Sequence, residues 1–417
     1  MDSFPVASSA RLLRHTNAAA ALRLVWDRET FTASDVMADT GLTRSTVLAL
    51  CDELTARGWV SELDDARAAG EYRLGRPARR YAFDPRAGRV VGVDAGQHHV
   101  TASVADLRGT MLARSTQELR ADASPATRVR AIRRAIDDAV GTVGTGGSGG
   151  GSTGEQAGPV LAVVLGVPAP TDAQGASPPG NQGRFWARMN PGLAEEFADV
   201  GQSVTVENDA NLAAVAEWTT GAGVGQSSFA TLLSGERFGA GLIIDGTLLR
   251  GPRGGAGEMR LLDLVEGVGS ADGLAHVARE LARRAADAGD LAGSALGGHD
   301  PATLDAADVL AAAQGGDAVA VGIVEQLADR LARVCAVIAS LLDVERIVVG
   351  GALAPALGPV VARAAERLPS YIHPPVPAIV ASALGSDGVH VGAVRRALAI
   401  VRASPFDFEL VRSATGR

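Results

Sequence analysis

Two stretches of this chain each carry several short β-branched runs that stop at a glycine or polar turn, and this repetition limits the possible fold more than any other feature. In the first stretch, "GRVVGVDAGQHHVTASVADLRGTMLARSTQEL" alternates apolar and polar residues around Gly96 and Gly109, the pattern of consecutive antiparallel strands. A helical segment over 125–142 follows, then "PVLAVVLGVPAP" as a buried strand and "VTVENDA" as another. In the second stretch, "FATLLSG" and "GAGLIIDGTLLRG" form a new strand set. The tail reads as mainly helical, broken by "ERIVVGGAL", a strand running into a Gly-Gly turn. Two such halves predict a duplicated, two-lobed α/β fold with a cleft between the lobes.

The residues before this region follow a different pattern. An amphipathic helix is expected over 10–28. Ser34 can cap a short helix, Asp35 to Asp39, and Gly41 falls where a tight turn belongs. Thr43 can cap a helix from about Arg44 to Arg57, with Val47, Leu50 and Leu54 on one face and Gly58 at its end. "WVSEL" and "RRYAF" then read as two strands around a loop. Helix, helix, turn, helix and a two-stranded wing predict a winged helix-turn-helix over 1–86. The lobes are expected at 87–210, with a flexible Gly/Ser loop at 143–158, and at 211–417, with a C-terminal helix over about 390–403 packing back on the first lobe.

Charge gives the N-terminal unit a partner. The protein is acidic overall, with a net charge of −8, and its basic residues are all arginine. Seven of them fall within residues 66–89, against Glu71 and Asp84. A basic patch on an acidic protein fits one face built for a polyanion, since phosphate contact depends on local charge. A helix N-terminus in the major groove would present Thr43, Arg44, Ser45 and Thr46 to phosphates and base edges. Arg76, between Gly75 and Pro77, lies on a slim extended wing suited to the minor groove, with Arg79 and Arg80 beside it. The alternative is a helical hairpin used for packing or dimerisation, with a solvated arginine loop. No stretch is apolar and long enough to span a bilayer, and the first thirty residues lack a secretory h-region, so the cytosol is expected. Two cysteines, Cys51 and Cys335, cannot build a disulfide framework or a multi-cysteine zinc site.

Four motifs in the two-lobed region carry candidate chemistry. Asp94 and Gly96 close a strand and open a turn that can hug phosphate through backbone N–H groups, or form an ordinary hairpin. Asn208 and Asp209 pair an amide with a carboxylate, as a sugar hydroxyl needs if it is to be fixed and deprotonated. The competing reading is an Asx turn capping a helix that starts at about Asn211. Glu258, after a glycine-rich turn, can accept further sugar hydroxyls or sit as a solvated loop carboxylate. Gly350-Gly351 allows close approach of a flat ligand such as adenine, or is a tight turn.

In this order, "GVDAG…ADLRG", "LGVPAP", "VENDAN", "GAGLIIDG…RGPRGGAGE" and "IVVGGAL" resemble the landmarks of the ROK family of repressors, open reading frames and kinases, and the "GRP" wing resembles its repressor branch. The resemblance runs from about residue 30 to the end. It implies an actin-like, hexokinase-like pair of ribonuclease-H-type lobes. It also implies a catalytic base at Asp209, a sugar-binding partner at Asn208, a sugar-hydroxyl acceptor at Glu258 and a first phosphate turn at Asp94 and Gly96. Glu266 stands as a candidate second sugar-contacting glutamate.

The departures from the family pattern shape the functional expectation. The second phosphate turn, of Gly-Thr-Gly type in the kinases, is here Gly235-Glu236-Arg237-Phe238-Gly239. Glu236 introduces a charge that repels phosphate, and Arg237 replaces a glycine that lets phosphate approach. Gln97-His98-His99 stand where the kinases carry small and hydroxyl residues followed by lysine. Leu261 takes the place of a family histidine, and the family's zinc-binding cysteine cluster is missing.

The expectation is therefore a cytoplasmic, nucleoid-associated DNA-binding regulator and no enzyme, a repressor of sugar uptake or catabolism genes acting as a homodimer or higher oligomer. Its degenerate kinase module would sense a sugar or sugar derivative, with Asp209 a vestigial base, and no zinc, ATP or magnesium is expected. The alternatives are an ATP-dependent hexose kinase carrying a DNA-binding head, and an effector-blind DNA-binding protein whose module only dimerises.

Overall fold

The computed structural model describes residues 7–63, 79–145, 158–179, 185–300 and 303–410. The N-terminal unit holds helices α1 (Ala7–Val25), α2 (Ala33–Thr40) and α3 (Arg44–Ala56), with strands β1 (Phe31–Thr32), β2 (Val60–Leu63) and β3 (Arg80–Phe83). The strands pair antiparallel in the order β1-β3-β2. Helix α2 is capped by Thr32 and not by Ser34: the Thr32 side chain accepts from the Asp35 N–H, and the Asp35 carboxylate returns a bond to the Thr32 N–H. This reciprocal pairing satisfies two orphan N–H groups at once, which a cap at Ser34 would leave open. Thr43 caps α3 by accepting from the Thr46 N–H. The wing loop, Arg76 included, lies outside the described residues, as does most of the Gly/Ser loop.

Both lobes are built on one plan. The first sheet contains β4 (Arg89–Asp94), β5 (His99–Asp106), β6 (Met111–Glu118), β7 (Val160–Val167) and β8 (Ser203–Asn208), in the order β6-β5-β4-β7-β8. The second contains β9 (Phe229–Ser234), β10 (Phe238–Ile244), β11 (Thr247–Leu249), β12 (Arg346–Gly350) and β13 (Ala378–Ala381), in the order β11-β10-β9-β12-β13. In each, an antiparallel three-stranded meander is extended by two parallel strands. This is the duplicated, actin-like arrangement that the sequence predicts. It adds β13, a short run between prolines and Ser382 in a tail that reads as helical.

Helices sandwich each sheet. On the first, Val91, Val93, Val163 and Leu165 face α4 (Pro125–Thr145), while Val90, Ala162 and Val164 face the opposite way, toward α12 (Gly388–Ala403). Alternation along a strand buried on both faces produces such runs of valine. On the second sheet, α8 (Leu274–Ala288), α9 (Ala306–Gln314), α10 (Ala318–Leu342) and α11 (Gly358–Arg367) cover one face. Helix α7 (Asp209–Thr220) covers the other with Ala214 against Phe229, Ile243 and Val348. The two short α-helices of the chain not yet placed, α5 (Phe185–Met189) and α6 (Leu193–Glu196), lie in the first lobe.

Helices α12 and α7 lie between the sheets, pressed against each other. A Cβ at Gly92 of β4 would come within 2.5 Å of the Val394 nitrogen in α12, and one at Gly241 of β10 within 2.0 Å of the Ala210 carbonyl in α7. Sheet, α12, α7 and sheet thus form one stack. Among the described residues no single helix is long and apolar enough to cross a membrane.

The N-terminal unit shares a core with the first lobe. Its Trp26, Trp59, Tyr81 and Phe83 belong to the same buried cluster as Leu107, Leu161 and Val394. Trp26 stacks near Phe83, with centroids 4.5 Å apart, and its indole N–H donates to the Leu107 carbonyl at 2.8 Å. Arg108 donates to the Arg28 carbonyl at 2.6 Å, Arg23 donates to the Ala403 carbonyl at the end of α12, and Arg402 pairs with Asp27.

Candidate functional site

The sequence places Asp209 directly after β8, so the strand's C-terminal end delivers it to the mouth between the lobes. Asn208 is spent on structure: its Oδ1 accepts from the Asn211 N–H at 3.1 Å, and its Nδ2 donates to the Ala169 carbonyl at 3.2 Å. The amide is thus the cap of α7, the Asx reading, and the helix begins at Asp209, two residues before the expected start. The Asp209 carboxylate accepts from the Ala210 N–H at 2.8 Å. Burial, with Asp94 and Glu258 adding like charge, pushes its pKa up to about 8.

Those influences bring three carboxylates within electrostatic reach of one another: Asp94 at the end of β4, Asp209 at the start of α7, and Glu258 on the second-lobe loop. Glu258 is held by a backbone bridge to Gly239, and the protein around it raises its pKa while Arg237 opposes the rise. The loop bearing it closes onto the first lobe. Gly254, at φ 68°, sits so near Thr171 that a Cβ would come 1.8 Å from the threonine carbonyl. Glu266 does not join this group. It is exposed, and its carbonyl accepts from Arg333 of α10. Its place as a second sugar ligand is therefore not realised in this arrangement.

The two turns expected to hold phosphate are both engaged by protein side chains. At the first, His99 Nε2 lies 3.1 Å from Asp94 Oδ2, which raises the histidine pKa and lays the ring across the turn at Gly96. Behind it, fully buried Arg128 of α4 donates to the carbonyls of Ala95 and Gly96, both at 2.8 Å. Nothing in "SPATRVRAIRR" distinguishes Arg128 from its solvated neighbours, so sequence reasoning misses it.

At the second turn, Glu236 is tied to Arg279 of α8 at 2.6 Å, with His276 at 3.6 Å, and Arg237 pairs with Asp272 at 3.6 Å. Glu236 is therefore not the bare negative charge that the sequence implies, since the Arg279 guanidinium compensates it. Gly351, at φ 105°, lies beside this turn: a Cβ on it would come 3.7 Å from the Ser234 nitrogen and 3.9 Å from the Gly235 nitrogen.

Among the described residues no group of three or more His, Cys, Asp or Glu side chains is placed to hold a metal ion. Leu261 is exposed, and Cys51 and Cys335 are buried in different cores.

At the other end of the molecule, Thr43, Arg44 and Ser45 are exposed at the start of α3, with Thr46 half-buried. Arg79 pairs with Asp52 and Glu62, both at 3.3 Å, and Arg80 donates to Thr30, so these two arginines are less free than the sequence implies.

A glucokinase from Streptomyces coelicolor is 28% identical over 324 residues, spanning 73% of this chain and 96% of that enzyme. A glucokinase from Halalkalibacterium halodurans is 32% identical over 168 residues, and there the chain spans half the length of the relative. Among solved structures, a ROK family glucokinase from Streptomyces griseus in complex with glucose and AMPPNP superposes with a TM-score of 0.62 at 27% identity, covering 74% of this chain and 99% of that one. A ROK family transcriptional regulator, a homologue of the E. coli MLC protein, reaches 0.71 at 18% identity and covers 95% of this chain and 98% of that one, a likeness of fold that takes in the N-terminal unit as well. The model of the ROK family matches residues 90–400, the two lobes and the cleft between them, and the chain belongs to that family.

Proposed function

We propose that this chain is a DNA-binding transcriptional regulator, a repressor of sugar uptake or catabolism genes, whose kinase-type module senses a sugar or sugar derivative. The observation that carries this reading is the N-terminal unit joined to the module. Three helices and a small antiparallel sheet, with exposed Thr43, Arg44 and Ser45 at the start of the third helix, share a core with the first lobe. We read this unit as a winged helix-turn-helix, with α3 entering the major groove and the arginine-rich wing following the backbone. The glucokinases from Streptomyces coelicolor and Streptomyces griseus match about three quarters of the chain, a share close to that of the lobes alone.

In this reading the cleft around Asn208, Asp209 and Glu258 takes the carbohydrate. With its pKa near 8, Asp209 holds a proton at neutral pH and donates to a sugar hydroxyl, where a base would accept. The occupied turns at Asp94–His99 and Glu236–Arg279 support a module that binds without phosphorylating and needs neither ATP with magnesium nor zinc. A ligand that prefers one lobe arrangement shifts the population and re-aims the heads of a homodimer on operator DNA in the cytoplasm.

The second reading, a hexose kinase with a DNA-binding head, is favoured by the retained carboxylates Asp94, Asp209 and Glu258 and by the glucokinase relatives. Selection of bound fragments from sheared genomic DNA by the full-length protein, with a coupled ADP-release assay on a hexose panel, separates the two. Enrichment of discrete sites without ADP release supports the regulator. No enriched site, or steady ADP release abolished by Asp209→Asn, overturns it.

A further inference from the structure

The two halves of the candidate cleft come from different lobes, and one buried carboxylate ties them together. Glu207, the last residue before the Asn208-Asp209 turn, has a side chain only 5% exposed. It accepts from Arg250 Nε at 2.6 Å, from Asn211 Nδ2 at 2.9 Å and from the Asn208 N–H at 3.2 Å. Arg250 stands at the end of β11 and opens the loop that carries Glu258. One ion pair therefore joins the Asp209 turn to the Glu258 loop.

Without Arg250 this buried carboxylate keeps only two neutral amide donors, so lobe opening favours a substitute cation. Arg396 of α12 has the properties of one. Its Nε is buried without a hydrogen-bond partner, and it makes no ion pair among the described residues. Burial and the neighbouring Arg250 hold its pKa down while Glu207 holds it up, so its guanidinium lies within electrostatic reach of both. Two guanidinium groups lie within electrostatic reach of one carboxylate, and of these Arg250 is bonded to it.

We propose that Glu207 is a positioning residue for the carbohydrate cleft with two alternative partners: Arg250 when the lobes are shut, as here, and Arg396 when Arg250 withdraws. The exchange reports the state of the cleft to α12. That helix ends at the contacts Arg402–Asp27 and Arg23–Ala403 with the N-terminal unit. The proposal rests on the sensor reading for what closes the cleft, but the exchange is a property of the chain alone.

The test uses the full-length protein without sugar or DNA. Urea midpoints are measured for Arg250→Gln, Arg396→Gln, the double variant, and the triple variant that adds Glu207→Gln. Arg396→Gln alone is expected to leave the midpoint unchanged or raise it, because it removes a repulsion. Arg250→Gln lowers the midpoint, the double variant lowers it by more than the sum of the singles, and Glu207→Gln recovers most of that loss. Additive effects of the two arginine substitutions overturn the proposal.

Spin labels at Glu195→Cys in the first lobe and Leu264→Cys in the second, both exposed, give an independent measurement, since the native cysteines are buried. Arg250→Gln should populate a second, longer interlobe distance that disappears in the double variant. A longer distance that persists without Arg396 overturns the exchange. Calorimetry of the wild-type protein with a hexose panel tests the sensor reading separately: absence of hexose binding sinks that reading and leaves the stability cycle untouched.

Discussion

Gly392 of α12 lies so close to Leu212 of α7 that a Cβ on the glycine would come 1.8 Å from the leucine carbonyl oxygen. The two interlobe helices are therefore in backbone contact one turn after the Asn208-Asp209 site. Gly392→Ala forces them apart and is expected to destabilise the protein by about 1–3 kcal/mol or more, the scale of overpacking in a rigid core. Urea unfolding followed by far-ultraviolet circular dichroism checks this, and an unchanged midpoint would mean that the helices are not in register as described.

The raised pKa of Asp209 has a signed consequence. In the folded state the group keeps its proton up to about pH 8, while in the unfolded chain it loses it near the ordinary aspartate value of about 3.9. Between those values unfolding releases a proton, so this residue's contribution to stability falls as pH rises from about 4 to 8. Asp209→Asn should raise Tm at pH 8 relative to wild type, by at least the equivalent of one pKa unit, about 1.4 kcal/mol, and flatten the pH dependence of Tm across that window. Parallel Tm curves for the two proteins would show that the carboxyl is not desolvated.

Trp26→Ala removes an indole that stacks on Phe83 and bonds to the Leu107 carbonyl. The expected loss is about 3–5 kcal/mol, the scale for a large buried aromatic. The substitution should also separate the melting of residues before Phe83 from that of the lobes. Calorimetry of the variant should then show two transitions, against joint melting of the first lobe and the N-terminal unit expected for the wild type from their shared core.

Arg44→Ala removes an exposed cation at the start of α3 and should leave Tm unchanged. In the DNA-binding reading it weakens operator affinity across sequences and reduces the salt slope by about 1. Fluorescence anisotropy across a salt series measures both, and an unaltered slope would place the DNA contact elsewhere.

The paired variant Glu236→Thr with Arg237→Gly vacates the second phosphate turn by releasing Arg279 and Asp272. AMPPNP affinity, measured by calorimetry, should rise at least tenfold over wild type. Equal affinity would mean that the occupied turn is not what obstructs the nucleotide.

Much of this fold was legible in the sequence because its signals are local. Alternation set β4 to β8, a threonine before a helical run marked α3, and the polar stop after "VTV" located Asp209. The failures are equally physical. Ser34 and Thr32 are both competent caps, and only the return bond from Asp35 chooses between them. Glu266 is a candidate sugar ligand only through the family resemblance, and the fold leaves it exposed with its carbonyl bonded to Arg333. Glu236 reads as a bare charge until α8 brings Arg279 across forty-three residues to meet it. Arg128, Arg250 and Arg396 carry no sequence signal at all, because what each does depends on residues far away in the chain.

The tryptophan joint at Leu107 also limits how this molecule could be rebuilt. A transplanted N-terminal unit that left behind the tip of the β5–β6 hairpin and the last turn of α12 would carry an uncovered oily face into solvent. Any chimera that swaps sensors beneath this unit must therefore carry both elements with it, one between β5 and β6 and the other at the far end of the chain in α12, so a single cut near residue 86 does not suffice.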